Sequence, residues 1–288
     1  MGSTVRAAIH PRRLANRNRG DTSPRAIAFL IVLWLCLAIA VVFLVTLIAV
    51  MLIDGWQRLD SGLLTEFPSS RPAKAGARPA ILGTLWVVGT TAGLAIPLGV
   101  AAAVHLEEMG NKNNWFNRII EVNVQNLAAV PSIIYGLLTL GVLTAMGIQV
   151  KNIVIGGAIA LALLILPVIL IATREALRAV PQDIRQGSLA LGATPFQTVW
   201  RQVLPSAIPG IATGSIIALS RAIGEAAPLL VLGGLVFMSF DPNGLMSQFT
   251  SMPIQIFNWS SRPQVAFHEL AAAASIVLLI MLFLMNGL

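Results

Sequence analysis

A polar insert at residues 174–205 reads REALRAVPQDIRQGSLALGATPFQTVWRQVLP and separates two strongly apolar stretches. Pro181 can occupy the first turn of a helix, where its missing N–H costs nothing. Gly192 then supplies the residue that most readily adopts a left-handed conformation at a helix end. The insert is therefore predicted to begin with a short helix that ends in a sharp glycine turn.

A second short helix is predicted directly after that turn. Thr194, Pro195 and Gln197 combine an N-cap, a proline at the first helical position and the glutamine of a capping box. We expect this helix to end before Pro205, because proline interrupts a helix interior. Its apolar side chains follow one helical stripe, at Phe196, Val199, Trp200 and Val203. We call residues 181–205 the elbow; on turn chemistry alone it could equally be a packed hairpin that binds no partner.

Composition places the rest of the chain in a membrane. Of the 288 residues, 56% are hydrophobic and 11% are charged, with a mean hydropathy of +0.81, whereas soluble domains carry about 25% charged residues. Apolar runs of about 20 residues cross a bilayer as helices. We predict an all-α polytopic membrane protein with six transmembrane helices and the elbow between the fourth and fifth. The predicted spans are 26–53, 79–104, 122–146, 152–173, 206–237 and 266–285. The fifth is too long for one straight span and contains several Pro and Gly residues, so we expect it to be broken or tilted.

The distribution of Lys and Arg predicts the orientation. Segments 1–25, 105–121 and 174–205 hold twelve of them, against six in the opposite loops, and positive residues favour the cytoplasmic side. We expect a protein of a bacterial plasma membrane, with both ends of the chain on the cytoplasmic side. Residues 1–25 are predicted to form a disordered basic tail near anionic lipid rather than a nucleic-acid-binding segment. Because inner span ends normally carry positive residues, we also expect the native chain to continue shortly beyond Leu288.

Two ionisable residues lie in the interior of the predicted spans. Arg221 and Glu225 occur in LSRAIGEAAPLL, four residues apart and thus on one helix face. An arginine at the centre of a membrane helix costs about 2.5–3.5 kcal/mol, so it should face a partner or a watery cavity. The pair is either a structural ion pair or the polar lining of a substrate path.

The elbow resembles the cytoplasmic signature of ABC importer membrane subunits. In that signature an EAA triplet precedes a glycine by three residues, and I-x-L-P follows nine residues after the glycine. Gly192, Leu204 and Pro205 match this spacing, whereas the triplet falls on 186–188 as Gln-Gly-Ser and the isoleucine position on Gln202. The resemblance implies a type I importer permease fold in which the elbow is the coupling helix for a cytoplasmic ATPase. The implied coupling residues are Gly192, Ala193, Thr194, Pro195, Phe196, Leu204 and Pro205.

Three further stretches narrow the resemblance to the PstA-type permease of phosphate ABC importers. These are RAIGEAAPLL around Arg221, VPSIIYGLL in the third span and LLTEFPS in the first outer loop. The resemblance implies that Arg221, with Glu225 beside it, serves phosphate passage. A guanidinium offers a fixed fork of donors to a tetrahedral oxyanion. Ser132 and Tyr135 are predicted to line the same path, with a packed helix kink at Pro131 as the alternative.

Several chemistries are missing from the sequence. There is no G-x-x-x-x-G-K-[ST] phosphate-binding loop, and the three histidines have no metal-ligand spacing. We therefore expect no enzyme activity, metal or cofactor in this chain, with ATP and Mg²⁺ bound by a partner. The resemblance implies a PstC-type sister permease, two PstB-type ATPase subunits and an extracytoplasmic PstS-type phosphate-binding protein as partners, in addition to membrane lipid.

Other functions stay open on the sequence alone. The nearest is a permease of the same class for sulfate, molybdate or tungstate. A second is a membrane subunit that signals importer state without conducting. A third is a self-sufficient secondary carrier, which would leave the elbow without a purpose.

Overall fold

The computed structural model describes residues 24–110, 115–148, 152–234 and 237–287, and most of these are helical. No β-strand occurs in these ranges, where an isolated bridge between Ile153 and Gln248 is the only pairing of that kind. This agrees with the predicted all-α class. The helices are α1 (Pro24–Gly55), α2 (Ser61–Thr65), α3 (Arg78–Val104), α4 (Trp115–Ala128), α5 (Ser132–Ala145), α6 (Val154–Ala179), α7 (Gln182–Ala190), α8 (Pro195–Thr198), α9 (Leu204–Ile223), α10 (Ala227–Val231), α11 (Met252–Ser260) and α12 (Val265–Asn286).

Five continuous helical runs in the described residues are long and apolar enough to cross a membrane. They are Pro24–Arg58, Arg78–Met109, Val154–Ala179, Pro195–Ile223 and Val265–Asn286. The described residues up to Val50 form one unit and those from Met51 onward form a second. The first unit contains most of α1, a helix that is apolar on all sides, as a membrane span requires. Nearly all of the predicted basic tail, residues 1–23, lies outside the described residues.

The third predicted span, 122–146, is not one helix. The structure gives α4 and α5 instead, with an angle of 105° between Val122–Ala128 and Ser132–Ala145. Pro131 has a ψ of 135° and precedes α5 as its N-cap. Proline has no N–H to donate and disfavours helical backbone in the preceding residue. The third predicted span is therefore broken at Pro131, and the described residues hold six candidate spans when this bent pair is counted as one.

The predicted end of the second elbow helix was wrong. The helix that begins at Pro195 continues through Pro205 to Ile223. A π-helical turn over Val199–Val203, closed by the Leu204 N–H on the Val199 carbonyl, precedes the proline. This wider turn changes the backbone hydrogen-bond register just before Pro205, so the continuous helix accommodates a residue that has no N–H to donate. The far part of the predicted fifth stretch is broken, since α9 ends at Ile223 and α10 begins at Ala227.

The core of the second unit forms where α3, α6 and α9 meet, and small residues let their backbones approach closely. A Cβ on Gly99 of α3 would lie 2.8 Å from Ile169 of α6, and one on Gly210 of α9 would lie 2.8 Å from Ala176. Close packing through small residues is how membrane helices gain van der Waals contact. These three helices form the frame that holds both ends of the elbow.

The opposite end of this frame is closed by the chain around residues 238–252. The Val154 N–H donates to the Ser247 carbonyl (2.9 Å) and the Met252 N–H to the Thr84 hydroxyl oxygen (2.9 Å). Arg78 and Asp241 form an ion pair of 2.6 Å. The two ends of the frame therefore differ: one carries the elbow and the other a folded loop.

Candidate functional site

The turn between the two elbow helices has the geometry of a Schellman motif. Gly192 has a φ of +85°, a conformation that costs other residues energy. Its N–H donates to the Leu189 carbonyl (3.0 Å), and the Ala193 N–H donates to the Ser188 carbonyl (3.2 Å). These bonds satisfy carbonyls that the end of α7 would otherwise leave unpaired. The predicted glycine turn is therefore present and rigid.

The second helix begins with the predicted capping box. The Thr194 N–H donates to the Gln197 amide oxygen (3.0 Å), and the Gln197 N–H donates to the Thr194 hydroxyl oxygen (3.3 Å). A side-chain hydrogen bond of 2.9 Å between Ser188 and Thr198 links the two helices directly. Pro195 occupies the first helical position. Local bonds thus fix the angle of the elbow before any partner is considered.

The predicted apolar stripe of the second helix divides between two environments. Val199 and Val203 are buried against Val104 and Leu177. Phe196 and Trp200 are 58% and 51% exposed, and their ring centroids lie 5.9 Å apart. The stripe therefore anchors the elbow with its valines and presents its aromatic rings outward.

Two more features complete the outward face of the elbow. Leu191, at the turn, is 90% exposed. A groove of about 420 Å³ runs between the two elbow helices; it is lined by Asp183, Ile184, Gly187, Ser188, Leu191, Ala193, Gln197, Arg201 and Gln202. Leu204 is half-buried and Pro205 exposed at the start of α9. Large apolar side chains beside a groove mark an interaction surface.

Acidic residues that the sequence reasoning did not single out hold the elbow end together. Glu107 and Glu108 lie in a π-helical turn, His105–Met109, that extends α3. Glu107 pairs with Arg174 (3.2 Å) and Arg178 (3.0 Å) of α6, and Glu108 pairs with Arg185 of α7 (2.6 Å). The signal available in the sequence was an acidic doublet directly at the end of a predicted span.

The intramembrane pair is arranged differently from a salt bridge. Arg221 is exposed in the last turn of α9, and Glu225 is half-buried in the break before α10. No hydrogen bond or ion pair joins these two side chains, nor does any other described residue form one with the Arg221 guanidinium. Of the two alternatives, the self-neutralising ion pair is not present in the structure. The arginine keeps its donors available.

The Tyr135 hydroxyl forms its hydrogen bond within the broken third span and not with this arginine. Tyr135 shares a buried cluster with Ala218 and Ala222 of α9, which flank Arg221 in the sequence. The phenol is buried, and its hydroxyl donates to the Leu127 carbonyl at 2.6 Å. This bond joins α5 to the last turn of α4 across the break at Pro131. Tyr135 therefore positions the broken span, whereas Ser132 is half-buried at the first position of α5.

The break beside Arg221 is packed against α5. A Cβ on Gly136 would lie 2.6 Å from the Pro228 carbonyl oxygen, so α5 and α10 touch through backbone atoms. Arg221, Glu225 and Tyr135 are thus brought to one region, where α9, α10 and α5 meet. The elbow residues form a separate region at the other end of α9. Within the described residues no group of His, Cys, Asp and Glu could hold a metal ion.

Comparison with known proteins identifies the family of this chain. Residues 95–288 match the family model described as binding-protein-dependent transport system inner membrane component. The chain is 34% identical over 253 residues to the phosphate transport system permease protein PstA 1 of Mycobacterium tuberculosis (strain H37Rv), covering 86% of this chain and 80% of the relative. It is 33% identical over 267 residues to the probable ABC transporter permease protein YqgI of Bacillus subtilis, covering 88% and 89%.

Solved structures share the fold at lower identity. A bacterial alginate ABC transporter, solved with its alginate pentasaccharide-bound periplasmic protein, gives a TM-score of 0.65 at 17% identity and covers 91% of this chain and 94% of its own. The inward-facing MetNI methionine ABC transporter gives 0.58 at 19%, covering 72% and 90%. With the elbow, the broken spans and these matches, the chain belongs to the family of binding-protein-dependent transport system inner membrane components, as a PstA-type ABC permease.

Proposed function

We propose that this permease forms half of the translocation path for inorganic phosphate in an ATP-driven importer, and that its elbow docks on a cytoplasmic ATPase. The observation that carries the first part is Arg221, whose donors are unoccupied by described residues at a break between two helices. PstA relatives, named as phosphate transport permeases, support the choice of substrate. A PstC-type sister permease would supply the other half of the path.

The chemistry at Arg221 suits a transported anion. A guanidinium forms charge-assisted, bidentate hydrogen bonds with phosphate oxygens. Glu225 lies four residues further along the chain, and its negative charge opposes tight retention of an anion. At a rise of about 1.5 Å per residue, Arg221 lies about 24 Å from Pro205 along α9. The same helix thus connects the proposed anion contact with the elbow.

The ATPase contact is supported by the elbow surface. Leu191, Phe196 and Trp200 are largely exposed at the end of the frame that carries the ion pairs of Glu107 and Glu108. The sequence has no phosphate-binding loop of its own. A preorganised knob can transmit rigid-body movement to the helices it joins. ATP and Mg²⁺ would be bound by PstB-type subunits, and phosphate would be delivered by a PstS-type binding protein.

The test of the path is uptake by the reconstituted complex. Replacing Arg221 (Arg221→Ala) should abolish ATP-dependent uptake of radiolabelled phosphate into proteoliposomes, because the fixed donors are lost, while the complex still assembles. Arg71→Ala, which removes an exposed arginine from the first outer loop, should leave uptake unchanged. Uptake by Arg221→Ala at the wild-type rate would contradict the role of Arg221.

Substrate identity is tested in the same vesicles. Unlabelled phosphate should compete with labelled phosphate, whereas sulfate, molybdate and tungstate in equal excess should not. Competition by one of those anions alone would assign the permease to a related oxyanion importer. A wild-type complex that hydrolyses ATP without moving any of these anions would indicate a non-conducting signalling subunit.

A further inference from the structure

The Arg185 guanidinium makes four contacts at the junction of three elements. Its Nη2 donates to Glu108 Oε1 (2.6 Å) and to the Leu177 carbonyl (2.8 Å). Its Nη1 donates to the Val180 carbonyl (2.6 Å), and its Nε lies 3.4 Å from Glu108 Oε2. The side chains of Arg185 and Glu108 are 14% and 11% exposed. A group held at four points in a largely closed site has little freedom to move.

These contacts join the first elbow helix to two spans. Arg185 belongs to α7, and Glu108 belongs to the π-helical turn that extends α3. The carbonyls of Leu177 and Val180 lie at the C-terminal end of α6, where the helix dipole attracts positive charge. One side chain therefore ties the elbow to the ends of the second and fourth spans.

The neighbouring carboxylate, Glu107, joins a different pair of elements. Glu107 pairs with Arg174 and Arg178, both on α6, and so joins span to span. Glu108 pairs with α7 and so joins span to elbow. Both carboxylates lie in a π-helical turn, and the second leg of the elbow contains another, Val199–Val203. Such turns occur frequently at functional sites.

We propose that Arg185 is a positioning residue that transmits movement of the elbow to the second and fourth spans. This inference rests on the proposed docking of the elbow on an ATPase. The planar guanidinium holds both Glu108 oxygens and two carbonyls in one geometry, which an ammonium group cannot reproduce. Buried ion pairs contribute little net stability, and fixing a unique geometry is one reason to retain them. Without Arg185, the ATPase would move an elbow that is loosely connected to the path.

The experiment measures phosphate moved per ATP hydrolysed by the complex in proteoliposomes. We expect Arg185→Gln to lower this ratio about tenfold or more, within the usual range of coupling between sites, while ATPase subunits still co-purify. Arg185→Lys, which keeps the charge but not the fork, should lower the ratio as well. The matched control is Arg174→Gln. It breaks a buried ion pair with Glu107, which lies in the same π-helical turn as Glu108 but joins α3 to α6 rather than to the elbow. It should lower thermal stability and leave the ratio at the wild-type value.

A second readout does not depend on transport. Spin labels at Leu191→Cys and Met109→Cys, in a Cys36→Ala background, report the distance between the elbow and the turn after α3. We expect Arg185→Gln to broaden this distance distribution. Wild-type distances together with a wild-type ratio would overturn the proposal, as would an equal loss of ratio in Arg174→Gln. The wild-type complex could also move no phosphate when it hydrolyses ATP while Arg185→Gln still broadens the distance distribution. That result would support the positioning role and refute the proposed function.

Discussion

Gly192 shows how much a single residue can determine in this protein. Only three described residues, all of them glycines, have positive φ, and Gly192 is the one within the elbow. The Schellman bonds of Gly192 and Ala193 depend on this conformation. No atom lies within 4 Å of the position that a Cβ on Gly192 would take. The requirement for glycine here is therefore one of backbone conformation rather than of space.

The replacement Gly192→Ala should strain the turn by about 1–2 kcal/mol, the cost of left-handed backbone in a residue with a Cβ. We expect the elbow angle to change, so that transport and ATPase activity become uncoupled while the chain still inserts into membranes. The measurements are phosphate uptake, ATP hydrolysis and membrane yield. Gly141→Ala is the control, since Gly141 lies within α5, away from the elbow, and has equally open surroundings. Normal coupling in Gly192→Ala would contradict the rigid-elbow model.

At the scale of helices, glycines on α3 have different roles according to what lies opposite. A Cβ on Gly83 would collide with the Thr250 carbonyl oxygen, where the loop before α11 crosses α3. Gly93 has open space around it. The Met252 N–H bond to the Thr84 hydroxyl adjoins the Gly83 contact. Gly83 thus permits the contact that closes the end of the frame opposite the elbow.

Replacement by valine should affect stability differently at Gly83 and at Gly93. Gly83→Val should destabilise the protein by about 1–3 kcal/mol or more, because overpacking forces backbone shifts. Gly93→Val, on the same helix, should leave the thermal unfolding temperature of the single chain in detergent near the wild-type value. Equal unfolding temperatures for the two variants would show that α3 and the loop do not pack as described.

At the scale of the whole molecule, the two ends of the frame are closed by different parts of the chain. The elbow end carries the carboxylate–guanidinium pairs of Glu107 and Glu108, and the other end carries Arg78 with Asp241 and the loop around 238–252. The distribution of Lys and Arg predicts that the elbow end lies in the cytoplasm. That orientation is also what docking on a cytoplasmic ATPase requires.

Cysteine labelling checks the orientation directly. The chain has one cysteine, Cys36, so single-cysteine variants in a Cys36→Ala background are straightforward. Leu191→Cys, at the exposed elbow turn, should react with a membrane-impermeant maleimide only after the membrane is opened. Met246→Cys, exposed at the other end, should react in intact cells. The reverse pattern would overturn the predicted topology and, with it, the ATPase contact.

Features set by neighbouring residues were predictable, and features set by distant ones were not. The Gly192 turn and the Thr194–Gln197 capping box involve bonds within a few residues, so the sequence pattern identified both. The helix through Pro205 was missed because a π-helical turn accommodates the proline. The right-angled break at Pro131 was predicted only as a kink, and the Tyr135 bond to Leu127 that joins its two helices leaves no local pattern.

The amino-acid sequence alone determined the membrane class, the elbow and its caps, the candidate arginine and the family resemblance. These depend on hydropathy, short-range hydrogen bonds and motif spacing, all of which act along the chain. The tertiary structure decided that Arg221 is not paired with Glu225, that Phe196 and Trp200 face outward while Val199 and Val203 are buried, and that Arg185 meets Glu108. The residues of that last pair are 77 positions apart, and only the packing of the helices brings them together.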